Sequence, residues 1–160
     1  MTPTLLLAAI LLCRPAMPPA EARAYAEILA PHDDALTIVA LIDRETGWHA
    51  NAVSSDGRYL GLGQIAWRYR CARGVATVHR ARCATERRRL LDGRYNLRAV
   101  LHIIDQWRTT CRTTVGWISA YEGARRPTGQ RCGQPQEAQD PPRVTLAILA
   151  RAEELRRQLR

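Results

Sequence analysis

The chain has 160 residues, a formal net charge of +9 and 24 basic residues, all of which are arginine. This length supports one domain with a sizeable apolar core and argues against two full domains. The positive charge suits polyanions as different as nucleic acid, acidic lipid and acidic wall polymers, so charge by itself identifies no partner.

The N-terminus has the pattern of a secretory signal. Leu5 to Cys13 is an apolar run, and it is shorter than the ~20 residues that span a bilayer. Prolines and the small-residue motif of residues 20–22 follow, although no lysine or arginine precedes the run. We predict a signal peptide over 1–22, a mature domain over 23–160, export to the periplasm or beyond, and no stable membrane insertion. Lipidation of Cys13 is disfavoured, because Leu12 stands where a small residue is expected.

A short helix is predicted over residues 24–30, ending at Pro31. Asp33 and Asp34 follow, and Asp34 is the better N-cap for the next helix. Both carboxylates could be mistaken for catalytic groups. They lie about three turns from the far end of that helix, which is ~15 Å, so capping is the better interpretation.

Glu45 lies at the end of this second helix, on its apolar face. Ile38, Leu41 and Ile42 occupy positions i, i+3 and i+4 of that face, and Glu45 occupies the next position, i+7. Burial disfavours the ionised carboxylate, as does the helix terminus at Gly47, so the pKa of Glu45 is predicted to rise. A carboxyl group that holds its proton near neutral pH can act as a general acid. The alternative is a glutamate turned towards solvent.

The segment from Gly47 to Gly63 has the composition of a loop, rich in Asn, Ser, Asp and Gly. Asp56-Gly57 is a recognised hairpin turn signal, so a short β-hairpin is allowed here. Two arginine-rich stretches follow, over residues 67–74 and 80–89. The first interleaves aromatic rings with arginine, which could bind bases or sugars. Nothing beyond charge supports nucleic acid, so no nucleic-acid partner is expected.

Three further helices are predicted from apolar residues at helical spacing. The first begins at Asn96, the second begins at Thr114, and the last follows a cap at Asp140-Pro141. Their predicted inward residues are Leu97, Val100, Leu101, Ile104 and Trp107, then Val115, Trp117, Ile118 and Tyr121, and finally Val144, Ile148, Ala152, Leu155 and Leu159.

Four cysteines follow the predicted signal peptide, an even number that favours two disulfides in an exported chain. Three pairings are possible, and nearest-neighbour pairing, Cys71–Cys83 and Cys111–Cys132, is preferred. Zinc held by Cys71, Cys83 and His79 is disfavoured because the chain contains no C-x-x-C pair. No metal and no cofactor are expected.

Several of these residues form an ordered set. Glu45 is followed by an aromatic residue, by A-V-S at 52–54, by a glycine turn and by G-L-G-Q-I at 61–65. This set resembles the lysozyme-like lytic transglycosylase family, related to goose-type lysozyme, whose motif is a helix-end Glu, an aromatic, A-x-S, a Gly turn and G-L-x-Q. Asn96-Leu97 matches the family's opening of a later helix, and A-Y-E-G at 120–123 resembles its A-Y-N-x-G. The resemblance covers roughly residues 33–127.

The sequence departs from the family pattern in a few places. Thr46 stands where a serine is usual, and one extra residue separates Gly57 from Gly61. Glu122 replaces the usual asparagine, and the glycine after it comes one place early.

The resemblance implies a mainly α, lysozyme-like domain over 23–160, with at most a short β-hairpin beside the active-site cleft. It implies peptidoglycan glycan strands as the partner and cleavage of the β-1,4 bond between N-acetylmuramic acid and N-acetylglucosamine. A monomer is expected. The residues it implicates are Glu45 as acid and base, Tyr121 as its orienting group, and Ser54, Leu62, Gln64 and Trp48 as glycan contacts.

Most glycosidases pair two carboxylates, but the sequence offers no obvious second carboxylate on the face of Glu45. The family uses substrate assistance instead. The 2-acetamido group stabilises the developing cation, and the same glutamate then takes a proton from the muramyl 6-hydroxyl, giving a 1,6-anhydro end. Two alternatives stay open: a goose-type-like muramidase in which Asp56 positions water, and a non-catalytic wall-binding or secretion accessory protein.

Overall fold

The structure, a computed structural model, describes residues 1–67, 76–122 and 143–160, and for residues 76–82 it describes the backbone alone. Most of this part of the chain is helical: α1 (Pro3–Cys13), α2 (Pro19–Leu29), α3 (Ala35–Thr46), α4 (Ala76–Arg89), α5 (Gly93–Thr110), α6 (Thr114–Tyr121) and α7 (Arg143–Gln158). Two short strands, β1 (Tyr59–Leu60) and β2 (Ile65–Ala66), pair antiparallel, with Tyr59 opposite Ala66 and Leu60 opposite Ile65. The predicted mainly α fold with a short hairpin is confirmed.

Two helices begin earlier than predicted. α2 begins at Pro19 instead of residue 24, because proline suits the first helical turn, where its missing N–H has no helical partner to lose. α5 begins at Gly93 instead of Asn96, because the Asp92 carboxylate accepts a hydrogen bond from the N–H of Tyr95 at 2.8 Å and caps the helix. Asn96 is thereby released from capping and is free to bond elsewhere.

Asp34 occupies the N-cap position of α3, but its carboxylate makes no capping hydrogen bond. It accepts instead from Nη2 of Arg108, on α5, at 2.7 Å. A hydrogen bond between two charged groups is stronger than one to a neutral backbone N–H, which explains the preference. Asp34 therefore fixes the start of α3 against α5.

The hydrophobic core is centred on α3, in which every residue from Ala35 to Ile42 is buried. α1 packs against α2 and α3, and α7 packs against α3 from another side. The buried side chains that α1 and α7 add to this core are Leu6, Ala9 and Ile10, and Ile148, Ala152 and Leu155. The last three belong to the predicted apolar stripe of the C-terminal helix, while the predicted cap at Asp140-Pro141 lies outside the described residues.

α1 coincides with the apolar run of the predicted signal peptide. In the structure this run is a helix packed on the domain. None of the helices in the described part of the chain combines the length and the apolar character needed to cross a membrane. Cleavage after Ala22 stays a prediction, as does export.

Two of the cysteines predicted to form disulfides fall within the described part of the chain. Cys83 and Cys111 are both disulfide-bonded, whereas Cys13 is a free thiol. Their predicted partners, Cys71 and Cys132, lie outside the described residues, so the pairing stays a prediction.

Candidate active site

The candidate site forms where α3 ends. Gly47 closes the helix in the left-handed conformation, with φ +56°, and its N–H donates to the carbonyl of Asp43 at 2.8 Å. Glu45 is half-buried on the last turn. The neighbouring Thr46 donates its hydroxyl hydrogen to the carbonyl of Leu62 at 2.9 Å. Thr46 stands where the family has serine, and its hydroxyl group ties the end of α3 to the G-L-G-Q loop at residues 61–64.

Asn96, on α5, holds that loop through its side-chain amide. Its side chain is fully buried, and its Oδ1 accepts from the N–H of Gly63 at 3.0 Å. Its Nδ2 donates to the carbonyls of Leu60 at 2.9 Å and Leu90 at 2.8 Å. One amide therefore satisfies three buried backbone groups and joins the hairpin to α5.

Tyr121, the last residue of α6, binds the same loop. The Tyr121 hydroxyl donates to the carbonyl of Gly63 at 2.6 Å. A Cβ atom at residue 63 would lie 2.2 Å from Cγ2 of Val100 and 2.5 Å from the Tyr121 hydroxyl oxygen. Glycine is required at this position because the last turn of α6 rests directly on the loop backbone.

The carboxyl group next to Glu45 comes from Glu122, which directly follows α6. Glu122 acts on the carboxyl group of Glu45 through a side-chain hydrogen bond and through its negative charge. Oε1 of Glu122 is buried and has no hydrogen-bond partner among the described residues. The sequence offers no obvious second carboxylate on the face of Glu45, and the one beside it comes from a distant part of the chain. The departure of A-Y-E-G from the family motif was the signal in the sequence.

The pKa of Glu45 is raised to about 8, and burial is the largest cause of the rise. The hydrogen bond to Glu122 and the negative charge of Glu122 contribute to the same rise, and Arg44 opposes it. The predicted direction is confirmed, with Glu122 as an additional cause. The pKa of Tyr121 is raised well above its usual value, first by burial and then by the charges of Glu45 and Glu122. Its phenol is therefore neutral and able to donate.

The predicted glycan contacts of Trp48 and Leu62 are wrong for this structure, because both side chains have 0% exposure. Trp48 adopts φ +65° and packs against Tyr25, with ring centroids 5.7 Å apart. Its carbonyl accepts a hydrogen bond from Arg14. Both residues serve the core under the site, because an apolar side chain there gains more from burial than from contact with water.

Ser54 and Asp56 build the hairpin turn. The Ser54 hydroxyl donates to Oδ1 of Asp56 at 2.7 Å and accepts from the N–H groups of Arg58 at 3.1 Å and Tyr59 at 3.0 Å. The hydrogen bond from the Ser54 hydroxyl lowers the pKa of the exposed Asp56, as does a second bond to its Oδ1 from the N–H of Arg58 at 3.0 Å. Gln64 is half-buried, has φ +46° and donates from Nε2 to the carbonyl of Gly61 at 3.1 Å. Glycan contacts by Ser54 and Gln64 stay predictions.

A separate groove of about 600 Å³ lies between α2 and α5, and no predicted site residue lines it. Its lining includes Glu27, Arg94, Arg98, His102 and Asp105. Within the described ranges, no group of three or more His, Cys, Asp or Glu is placed to hold a metal ion.

No family model, curated protein or solved structure matches this chain. The functional interpretation therefore depends on the geometry around Glu45 and on the motif resemblance.

Proposed function

We propose that this chain is a peptidoglycan lytic transglycosylase in which Glu45 is both the acid and the base. The observation that carries the proposal is the raised pKa of a half-buried glutamate at the end of α3. Such a carboxyl group is protonated near neutral pH and can donate to a leaving group. The choice of glycan strands as substrate comes from the motif resemblance between residues 45 and 65.

In the first step, Glu45 gives its proton to the glycosidic oxygen while the bond from that oxygen to C1 of N-acetylmuramic acid breaks. The 2-acetamido carbonyl oxygen of the same sugar stabilises the positive charge at C1. In the second step, the ionised Glu45 takes the proton of the muramyl 6-hydroxyl, and O6 bonds to C1. The product carries a 1,6-anhydro ring, Glu45 is protonated again, and no water is consumed.

The contact between Glu45 and Glu122 favours this route over a two-carboxylate mechanism. Paired carboxyl groups of retaining enzymes lie about 5–5.5 Å apart, and those of inverting enzymes about 6.5–9.5 Å apart, with the sugar between them. Two carboxyl groups that hydrogen-bond to each other leave no room for a sugar. Glu122 therefore fits neither the nucleophile nor the base that activates water.

Asp56 has a complete local role in the turn, since Ser54 and Arg58 bind its carboxylate. This supports the transglycosylase over a muramidase in which Asp56 positions water. The proposal also places the protein as a monomer in the periplasm or outside the cell, where peptidoglycan lies.

The test uses Glu45→Gln, which keeps the side-chain shape and removes the acid. Cleavage of purified sacculi by the full chain should fall at least ~100-fold. The matched control is Glu27→Gln, since Glu27 is an exposed glutamate of α2, and it should cleave like the unmodified chain. Mass spectrometry should find 1,6-anhydro ends among the released muropeptides.

Three results would contradict the proposal. Glu45→Gln activity above one tenth of the unmodified rate would remove Glu45 from the mechanism. Ordinary reducing ends, heavier by one water, would indicate a muramidase. Binding to sacculi without any cleavage by the unmodified chain would indicate an accessory protein.

A further inference from the structure

Glu45 and Glu122 are held together by two adjacent residues of the loop. Thr46, beside Glu45, donates to the carbonyl of Leu62 at 2.9 Å. Tyr121, beside Glu122, donates to the carbonyl of the next residue, Gly63, at 2.6 Å. The ends of α3 and α6, which carry the two carboxyl groups, are thereby attached to adjacent residues of one loop.

The backbone of Glu122 is fixed as well. Its N–H donates to the carbonyl of Ile118 at 2.9 Å, which closes the last turn of α6. Oε1 of Glu122 is buried and has no donor in the described chain. A buried carboxylate oxygen without a donor is costly, and a proton on the neighbouring carboxyl group would supply one.

The charged and titratable groups that act on Glu45 from α3 and α6 are Arg44, Tyr121 and Glu122. The Tyr121 hydroxyl already donates to Gly63, so it does not neutralise the pair. Arg44 is exposed, and solvent weakens its attraction. Two carboxylates in contact cannot both be ionised at little cost, so one proton is expected to stay with the pair.

We propose that Glu122 is a positioning residue that shares one proton with Glu45 and holds the Glu45 carboxyl group ready for proton transfer. This inference rests on the proposed function of Glu45 as the acid and base.

The shared proton serves both steps of the reaction. Before cleavage, the pair carries one proton and one negative charge, so the acid is retained at higher pH. After Glu45 gives its proton to the leaving oxygen, the pair carries two adjacent negative charges. Their repulsion raises the affinity of Glu45 for the proton of the 6-hydroxyl, and taking that proton restores the starting state.

The experiment is a carboxyl titration by NMR of the full chain labelled with ¹³C at the glutamate carboxyl carbon. The Glu45 signal is identified by its absence from Glu45→Gln. In Glu122→Gln, which keeps the shape but removes the charge and the shared proton, the Glu45 midpoint should fall by at least ~1 pH unit. Glu27→Gln, at an exposed position of α2, should leave it unchanged. The high-pH side of the pH–rate profile for cleavage should move to lower pH in Glu122→Gln and should not move in Glu27→Gln.

The unmodified chain supplies a test that needs no folded variant. The Glu45 signal of the unmodified chain should titrate near pH 8, above the ordinary range of a glutamate. A Glu45 midpoint in the ordinary range, or one unchanged in Glu122→Gln, would overturn the proposal.

The titration requires no substrate, so it can fail independently of the proposed function. An unmodified chain that leaves sacculi intact would contradict the enzyme and leave the proton-sharing result standing. Normal cleavage with a Glu45 midpoint unchanged in Glu122→Gln would contradict the role of Glu122 alone.

Discussion

From Ala35 to Ile42 every residue of α3 is buried, whereas the residues from Asp43 to Gly47 are partly or fully exposed. The first segment, the apolar half, packs against α1 and α7. The second, which we call the catalytic end because it carries the proposed acid and base Glu45, is polar and contains or precedes two left-handed residues, Gly47 at φ +56° and Trp48 at φ +65°. The two segments share one helix and differ in what they contribute to the protein.

The comparison shows how the fold tolerates a site whose backbone and side chains are energetically unfavourable. A non-glycine residue in the left-handed region costs about 1–3 kcal/mol. Two carboxyl groups in contact add to that, as does the Trp48 Nε1 atom, which is buried without a hydrogen-bond partner in the described structure. The apolar half buries almost only apolar side chains, which stabilises the folded state. This gain offsets the unfavourable interactions at the catalytic end. Each half should therefore respond to mutation in its own way.

The largest effect on stability is expected in the apolar half. Leu41→Ala should lower the free energy of unfolding by about 2–5 kcal/mol, because it leaves a cavity beside a side chain that is 0% exposed. Activity per folded molecule should be retained. Denaturant unfolding and sacculus cleavage measure the two quantities. Leu146→Ala, at an exposed leucine of α7, is the control and should stay within about 0.5 kcal/mol. A proportional loss of specific activity in Leu41→Ala would show that the halves are not separable.

A smaller loss of stability and a larger loss of activity are expected at the loop under the catalytic end. Gly63→Ala places a methyl group 2.2 Å from Val100 Cγ2 and 2.5 Å from the Tyr121 hydroxyl oxygen. Overpacking of this kind costs about 1–3 kcal/mol. Displacement of Tyr121 should slow cleavage at least ~10-fold, because catalysis is sensitive to small errors of position.

Gly57→Ala is the matched control for that substitution. Gly57 has φ +67° but no atom within 4 Å of an added Cβ, so alanine meets backbone strain of about 1–2 kcal/mol and no clash. Its activity per folded molecule should be close to that of the unmodified chain. Equal activity losses in the two variants would mean that strain, and not contact with Tyr121, controls the site.

A further effect is a pH dependence of stability that comes from one carboxyl group. The pKa of Glu45 is raised from 4.5 to about 8 in the folded chain, so between these values the folded state binds more protons than the unfolded state. The Glu45 contribution to stability therefore falls as pH rises from 4.5 to about 8 and is constant above that. Glu45→Gln cannot ionise, so its melting temperature relative to the unmodified chain should rise between pH 4 and pH 9, by up to about 10 °C. A difference that is independent of pH would contradict the raised pKa.

Local sequence patterns were sufficient for much of the fold. The helical spacing of Ile38, Leu41 and Ile42 placed Glu45 on the buried side of α3, and burial alone accounts for the direction of its pKa. Asp56-Gly57 indicated the hairpin turn. These predictions succeeded because periodicity and turn chemistry act over a few neighbouring residues. Helix starts at Pro19 and Gly93 were missed, since a proline or a capping aspartate just outside the apolar pattern extends a helix beyond it.

The sequence by itself determined the main helices, the position of Glu45 and the turn. Only the tertiary structure decided which groups lie beside Glu45 and which apolar residues are buried. Glu122 reaches it because Thr46 and Tyr121 bind adjacent carbonyls of one loop, and no local pattern encodes that convergence of distant segments. Trp48 and Leu62 had the composition of sugar contacts, yet both are buried, because an apolar loop residue packs inward wherever the surrounding helices leave a space for it.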